Sequence, residues 1–240
     1  MPSNDFGQAI GVALPQWTVR PHPPRTSISG RFCRVEPLDA SAHSHDLYEC
    51  LGAPANHDGR WTYLPYGPFE DRESFQRWLE KSAASDDPLF FTIVDLHGRA
   101  VGVAAYMRID RTNGVIEIGH LNFSRHLQRT AAATEAMYLM LRRAFDELGY
   151  RRYEWKCDSF NAPSRRAAER LGFTYEGLFR QAVVYKQRTR DTTWFSITDA
   201  EWPARRAAFE AWLGAGNFDA AGMQRQPLSA FMARNLDNKN

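Results

Sequence analysis

The chain has 240 residues, 43% hydrophobic and 24% charged, a composition that supports a sizeable buried core in an ordinary globular protein. A net charge of +2, with both signs mixed along the chain, gives no basic footprint for nucleic acid as the main partner. Three widely spaced cysteines (Cys33, Cys50 and Cys157), no run of about 18 apolar residues and no basic-then-apolar leader predict a cytoplasmic protein with reduced thiols, no disulfide framework and no membrane span.

Residues 1–29 are rich in Pro, Gly and Ser and predict an irregular arm on the surface. Phe32, Val35 and Leu38 then suggest a first strand, followed by a helix over 40–51. An aromatic loop carries Trp61, Tyr63, Tyr66 and Phe69, and a second helix covers 71–84. Strands over 89–95, 100–109 and 115–123 are joined by turns at His97-Gly98 and Asn113-Gly114, which predicts an antiparallel meander. The period then changes. Ala133, Ala136, Met137, Met140, Leu141, Ala144 and Leu148 recur at helical spacing between Thr130, a fitting N-cap, and Gly149, a fitting stop. Tyr153, Trp155 and Cys157 alternate as a strand, and a short helix runs from Pro163 to Gly172. A last hairpin pairs 173–185 with 191–197. Thr198 and Glu201 form a capping-box pattern for a helix to Leu213, whose start Pro203 delays by one or two residues. The stretch after Gly214 reads as a loose extension.

One segment carries chemistry. A strand ends near Phe123 and a helix opens at Thr130, so the unpaired N–H groups of the first helical turn, with the helix dipole behind them, can receive an anion. Ala131, Ala132 and Ala133 let a diphosphate approach the backbone, and Gln128 and Arg129 add side-chain donors. The same residues would equally serve a plain strand–turn–helix crossover.

The run Glu117-Ile118-Gly119, followed by Gln128-Arg129-Thr130-Ala131-Ala132-Ala133-Thr134-Glu135-Ala136, resembles the acetyl-CoA motif of the GNAT acetyltransferases. Asn161-Ala162-Pro163-Ser164, Glu169-Arg170-Leu171-Gly172-Phe173 and Tyr175-Glu176-Gly177 are similar to a second signature, that of the RimJ/RimL-like (ribosomal-protein N-terminal acetyltransferase) branch. The resemblance covers about 31–213. It implies an α/β (α+β) domain over 30–213 with a mixed, centrally splayed sheet of about seven strands, an N-terminal arm over 1–29 and a C-terminal extension over 214–240. It implies acetyl-CoA as cosubstrate, no metal, and a monomer or homodimer that acetylates a primary amine on a protein N-terminus or a small molecule. The family's central glycine is Ala131 here, so the turn must avoid a left-handed backbone at that residue. The tyrosine general acid of many members is Ala168 here, a loss the branch shares, which leaves Ser164 or a water as proton donor to the departing thiolate.

The reaction needs a neutral amine, whereas an α-amino group has a pKa near ~8 and a lysine near ~10.4, so a carboxylate acting through water is sought. Glu117 is the first choice, because alternation places it with Val115 and Gly119 on one strand face just before the turn; a solvated strand glutamate is the plainer reading. Glu154 and Glu176 are weaker choices. Backbone N–H groups near Asn122 and Phe123 would polarise the thioester carbonyl, and Asn161 matches the residue that contacts the pantetheine arm, or is only a helix cap. Trp61, Tyr63, Tyr66, Phe69 and His120 could line the acceptor pocket; the aromatic loop could equally be a lid over the core, and His120 a structural histidine. Cys157 reads as a core residue, and His43 with His45, two apart, do not share a helix face as a metal pair would. Two other classes remain open: a non-catalytic acyl-CoA-binding module, and an interaction domain with no coenzyme site.

Overall fold

The computed structural model of the protein describes residues 2–56 and 59–237; the outermost residues of the expected arm and extension lie outside that range. The strands are β1 (Ile28–Ser29), β2 (Arg34–Pro37), β3 (Leu89–Val94), β4 (Ala100–Asp110), β5 (Val115–Phe123), β6 (Arg152–Asp158), β7 (Thr174–Tyr185) and β8 (Arg188–Thr198). They form one open sheet in the order β1-β2-β3-β4-β5-β6-β8-β7, in which only β5 and β6 run parallel. The helices are α1 (Ala40–Leu47), α2 (Arg72–Ala84), α3 (Ala131–Arg142), α4 (Ala162–Arg170), α5 (Trp202–Leu213) and α6 (Leu228–Asp237).

Local chemistry explains most boundaries. The Asp71 carboxylate takes the Ser74 N–H at 2.7 Å while the Ser74 hydroxyl takes the Asp71 N–H, a reciprocal cap for α2. Glu201 accepts from both the N–H and the hydroxyl of Thr198 at 2.8 Å, and α5 starts one residue later with Pro203 in its first turn. Both α1 and α3 end in a wide π turn, over Tyr48–Gly52 and Arg143–Glu147, so their regular parts are shorter than the periodicity predicts. The parallel β5–β6 pair needs a crossover, and α3 supplies it.

Every residue of α3 from Ala133 to Leu141 is buried, packed with Ile116, Ile118, Tyr153, Phe195 and Phe209 into the main core. The opposite face of β3 and β4 packs Phe90, Val103 and Ala105 against Leu47, Leu51, Trp61, Phe75 and Leu79. The described residues form eight strands, in line with the expected mixed sheet of about seven, the two-residue β1 coming from the arm. One sequence expectation needs correction: the stretch after Gly214 is not loose. It forms α6, which buries Leu228 and Met232 in the main core. The arm itself is irregular and laid on the β4–β5 turn: Trp17 Nε1 donates to the Thr112 carbonyl at 2.8 Å, and Gly114 (φ +64°) leaves room for that indole.

One feature of the sheet positions the site. Pairing of β5 with β6 runs only from Val115↔Arg152 to Ile118↔Trp155. Beyond that, β6 stays on β8 as far as Asp158↔Thr192, while β5 stays on β4 as far as Gly102↔Phe123. The sheet therefore splits at its centre, and the β5 edge from Gly119 onward faces a gap with its inward N–H and C=O groups unpaired by β6.

Candidate active site

The turn after β5 is built by short internal bonds. The Ser124 carbonyl accepts the Gln128 N–H at 2.9 Å, and Gln128 Nε2 reaches back to the Phe123 carbonyl at 2.9 Å, so this glutamine clamps the turn to the strand end. Thr130 caps α3 by accepting the Ala133 N–H at 3.2 Å. The N–H groups of Ala131 and Ala132 lie in the first turn, where no intrahelical acceptor exists, and they face outward with the dipole of α3 behind them. The left-handed residue of the turn is Arg129, at φ +62°, and its exposed side chain stands at the mouth. Ala131 is already helical, so the position of the family glycine makes no demand for a left-handed backbone here. Thr134 differs in role: its buried hydroxyl accepts from Arg170 of α4 at 2.9 Å, joining the two helices that border the split.

On the β4 side of the same strand, a bulge sets the geometry. Between Val103↔Asn122 and Ala105↔Gly119, the single residue Ala104 faces both His120 and Leu121. His120 takes φ +52°, and the bulge turns its ring onto the α1–α2 face instead of into the α3 core. There Nδ1 lies 3.1 Å from the Tyr66 hydroxyl, the ring stacks on Tyr66 at 5.5 Å and 7°, and Phe90 lies 5.0 Å away. Burial, helped by the positive charge of Arg108, lowers the His120 pKa to about 4. Trp61 and Phe69 pack edge-on at 5.4 Å in the same cluster, and Tyr63 donates to the Phe160 carbonyl at 3.0 Å. Asn122 is buried, and neither atom of its amide has a protein partner.

Glu117 lies in a charged row across the same face of the sheet. Its Oε2 accepts from Arg108 at 2.8 Å and from Lys156 at 3.0 Å, and Lys156 also binds Glu154 at 2.6 Å. Glu154 pairs with Arg152 at 2.7 Å, and Arg152 forks onto Glu176, which also accepts from Ser196 at 2.7 Å. Glu117 and Glu154 are direct cross-strand partners, so the Lys156 ammonium sits where two carboxylates would otherwise repel. Burial raises the Glu117 pKa, and the two cations offset part of that. The side chains of Lys156 and Glu117 are about equally shielded, at 5% and 4% exposure, so this pair is desolvated. Sequence reasoning picked out Glu117 and missed Lys156 and Arg108; parallel pairing of β5 and β6 is what brings 117, 154 and 156 together.

The remaining residues fall into place. Asn161 caps α4 through the Ser164 N–H at 3.1 Å, and Ser164 Oγ accepts from Trp155 Nε1 at 3.0 Å, which leaves the hydroxyl proton free to donate. Cys157 is buried with Thr193 Oγ1 3.1 Å away. His43 is tied to the Asp39 N–H at 3.2 Å and lies 3.4 Å from Glu36, and no cluster of metal-ligating side chains occurs among the described residues. Glu135, which the motif reading left without a role, accepts the N–H groups of Arg31, Phe32 and Cys33 at 2.7, 2.6 and 2.9 Å. It holds the β1–β2 turn onto α3. Lys186, at the tip of the β7–β8 hairpin, donates to the carbonyls of Trp61 and Gly67, both at 2.7 Å, and so pins the aromatic loop.

The split of β5 from β6 thus lies directly beside the first turn of α3, a helix start whose N–H groups are suited to an anion. The sequence profile of the acetyltransferase (GNAT) domain matches residues 34–174, so the chain belongs to that family and is an acyl-CoA-dependent acetyltransferase. Among solved structures it is similar to a GCN5-related N-acetyltransferase from Brucella melitensis, at 48% identity and TM-score 0.89, over 92% of this chain and all of that one. It is also similar to a GNAT-family protein from Chromobacterium violaceum, at 42% identity and TM-score 0.76, over 85% of this chain and all of that one. An uncharacterized N-acetyltransferase, p20 of Bacillus licheniformis, is 29% identical over 58% of this chain and 80% of its own length. The microcin C7 self-immunity acetyltransferase MccE, in complex with acetyl-CoA and AMP, shares the fold at 20% identity and TM-score 0.62, over 70% of this chain and 93% of that one.

Proposed function

We propose that this protein transfers the acetyl group of acetyl-CoA to a primary amine, on a protein N-terminus or a small molecule, by direct attack without a covalent enzyme intermediate. The observation that carries the reading is the split of β5 from β6 directly before the open first turn of α3. The pyrophosphate would lie on the N–H groups of Ala131 and Ala132, with Arg129 as its ion-pair partner. Asn161 would meet the pantetheine arm with its amide. Unpaired N–H groups of β5 near Asn122 and Phe123 would polarise the thioester carbonyl, and Ser164 or a water would protonate the thiolate. The aromatic loop with Trp61, Tyr63, Tyr66 and Phe69 would form the acceptor side. Glu117 is the carboxylate candidate for taking the amine's proton, and His120 would line the same side. The kinship with the RimJ/RimL-like branch, the division at residues 30 and 213, the cytoplasmic location and the monomer-or-homodimer state belong to the same proposal and rest on the sequence.

Thiol release from acetyl-CoA, followed with a panel of amino acids, peptides, polyamines and amine antibiotics, tests the reading. Turnover of at least one amine is expected. If coenzyme A binds in calorimetry while no amine releases thiol, the binding-module reading takes its place. If millimolar coenzyme A does not raise the melting temperature, the coenzyme site itself is disproved.

A further inference from the structure

We propose that His120 is the catalytic residue that receives the proton of the attacking amine, through Nε2, with Nδ1–H held by the Tyr66 hydroxyl. The inference rests on the amine-acetylation reading above.

Four observations converge on this ring. It lies two residues beyond the last β5–β6 pair, so it borders the gap where the thioester would open onto the acceptor side. It is fixed on three sides, by the contact with Tyr66 at 3.1 Å, the parallel stack on the same ring, and Phe90. Its left-handed backbone, a conformation that costs a non-glycine residue on the order of 1 kcal/mol, serves only to aim the side chain away from the core. Among the described residues Nε2 has no protein partner, whereas the rival carboxylate, Glu117, is ion-paired through Oε2 with both Arg108 and Lys156. Glu117 is then a positioning residue: it fixes Arg108 and Lys156 beneath the site.

The ionisable groups facing the ring are Tyr66 from the loop and Arg108 from β4; burial first, and then the Arg108 charge, favour the neutral imidazole. A weak base suffices, because the amine nitrogen becomes strongly acidic as its bond to carbon forms. In that step the amine lone pair attacks the thioester carbon, the N–C bond forms and the C–S bond breaks with its electron pair leaving on sulfur. The N–H proton passes to Nε2 and then to solvent.

The variants His120→Gln and His120→Ala decide it. At saturating amine, kcat should fall about 100-fold or more in both, with coenzyme A affinity unchanged within about 2-fold, and added imidazole should restore part of the Ala variant's rate. A Gln variant that keeps more than about a third of the wild-type kcat, or a loss confined to KM, overturns the role. Nitrogen-15 shifts of the ring in the coenzyme A-bound wild type supply a readout that needs no turnover: protonated Nδ1 is expected, and protonated Nε2 overturns the proposal. Failure of the wild type to acetylate any amine is read separately and sinks the enzyme reading instead.

Discussion

Among the described residues, three of the six non-glycine residues with left-handed backbones, Arg108, His120 and Arg129, lie near the split, and each does something an extended residue there could not. Arg108 carries its guanidinium to Glu117, His120 leaves the core, and Arg129 closes the phosphate turn so that α3 can begin at Ala131. The sequence drew attention to the glycine missing at 131, but the strained position is two residues earlier. No local pattern marks an arginine for a left-handed turn. Replacing Arg129 with Gly separates the two properties of that residue. The backbone should be relieved, leaving the unfolding free energy unchanged or higher by up to about 1 kcal/mol, because glycine adopts this φ freely but loses more entropy on folding. Coenzyme A affinity should fall about 5- to 10-fold with loss of the guanidinium–phosphate pair. Urea unfolding and calorimetry on the same sample check both. A variant that binds coenzyme A as tightly as the wild type would remove Arg129 from the phosphate site.

At the scale of elements, legibility followed periodicity. The antiparallel β3, β4 and β5 were readable from the turn signals between their apolar runs, and α3 from its helical stripe of apolar residues. The two-residue β1 carries no period, and α6 follows Pro227 and places Leu228 and Met232, a single i,i+4 pair among the described side chains, in the core, so neither could be read from pattern. The hairpin of β7 and β8 was visible as strands, yet its reach to the aromatic loop was not, since Lys186 reads as a solvated charge at a turn. Its ammonium instead bonds two loop carbonyls, and burial lowers its pKa. Changing Lys186 to Met should free the loop: faster hydrogen exchange over residues 61–69, a higher KM for the amine, and unchanged affinity for coenzyme A, whose proposed site is the start of α3. The global cost should stay near about 1–2 kcal/mol, since two hydrogen bonds from a charged donor are lost while the carbonyls can turn to water. Unaltered exchange in the loop would show that the aromatic cluster holds it without the latch.

For the molecule as a whole, the problem is how segments distant in sequence are joined into one site, and here sequence reasoning reached its limit. It placed Glu117, the turn and the acceptor loop on their elements, but not the charged row that parallel pairing assembles from β4, β5, β6 and β7. Nor did it show that Glu135, part of the coenzyme motif by resemblance, points away from the coenzyme. Its carboxylate gathers three successive N–H groups at residues 31–33, about a hundred positions earlier in the chain, and Gly30 is required because a Cβ there would run into that carboxylate. This is an anion site formed within the chain itself, and it anchors the first strands to α3, whose start is the proposed coenzyme site. Glu135→Gln keeps the shape but replaces one acceptor oxygen by an N–H₂ group facing donors. The cost should be about 2–3 kcal/mol of stability by urea unfolding, the usual magnitude for bonds to a buried charge. Because the clamp acts on folding and not on the ligand, coenzyme A affinity of the folded variant should stay within about 3-fold. A large loss of affinity with stability preserved would instead place Glu135 in the coenzyme site, as the motif alone suggests.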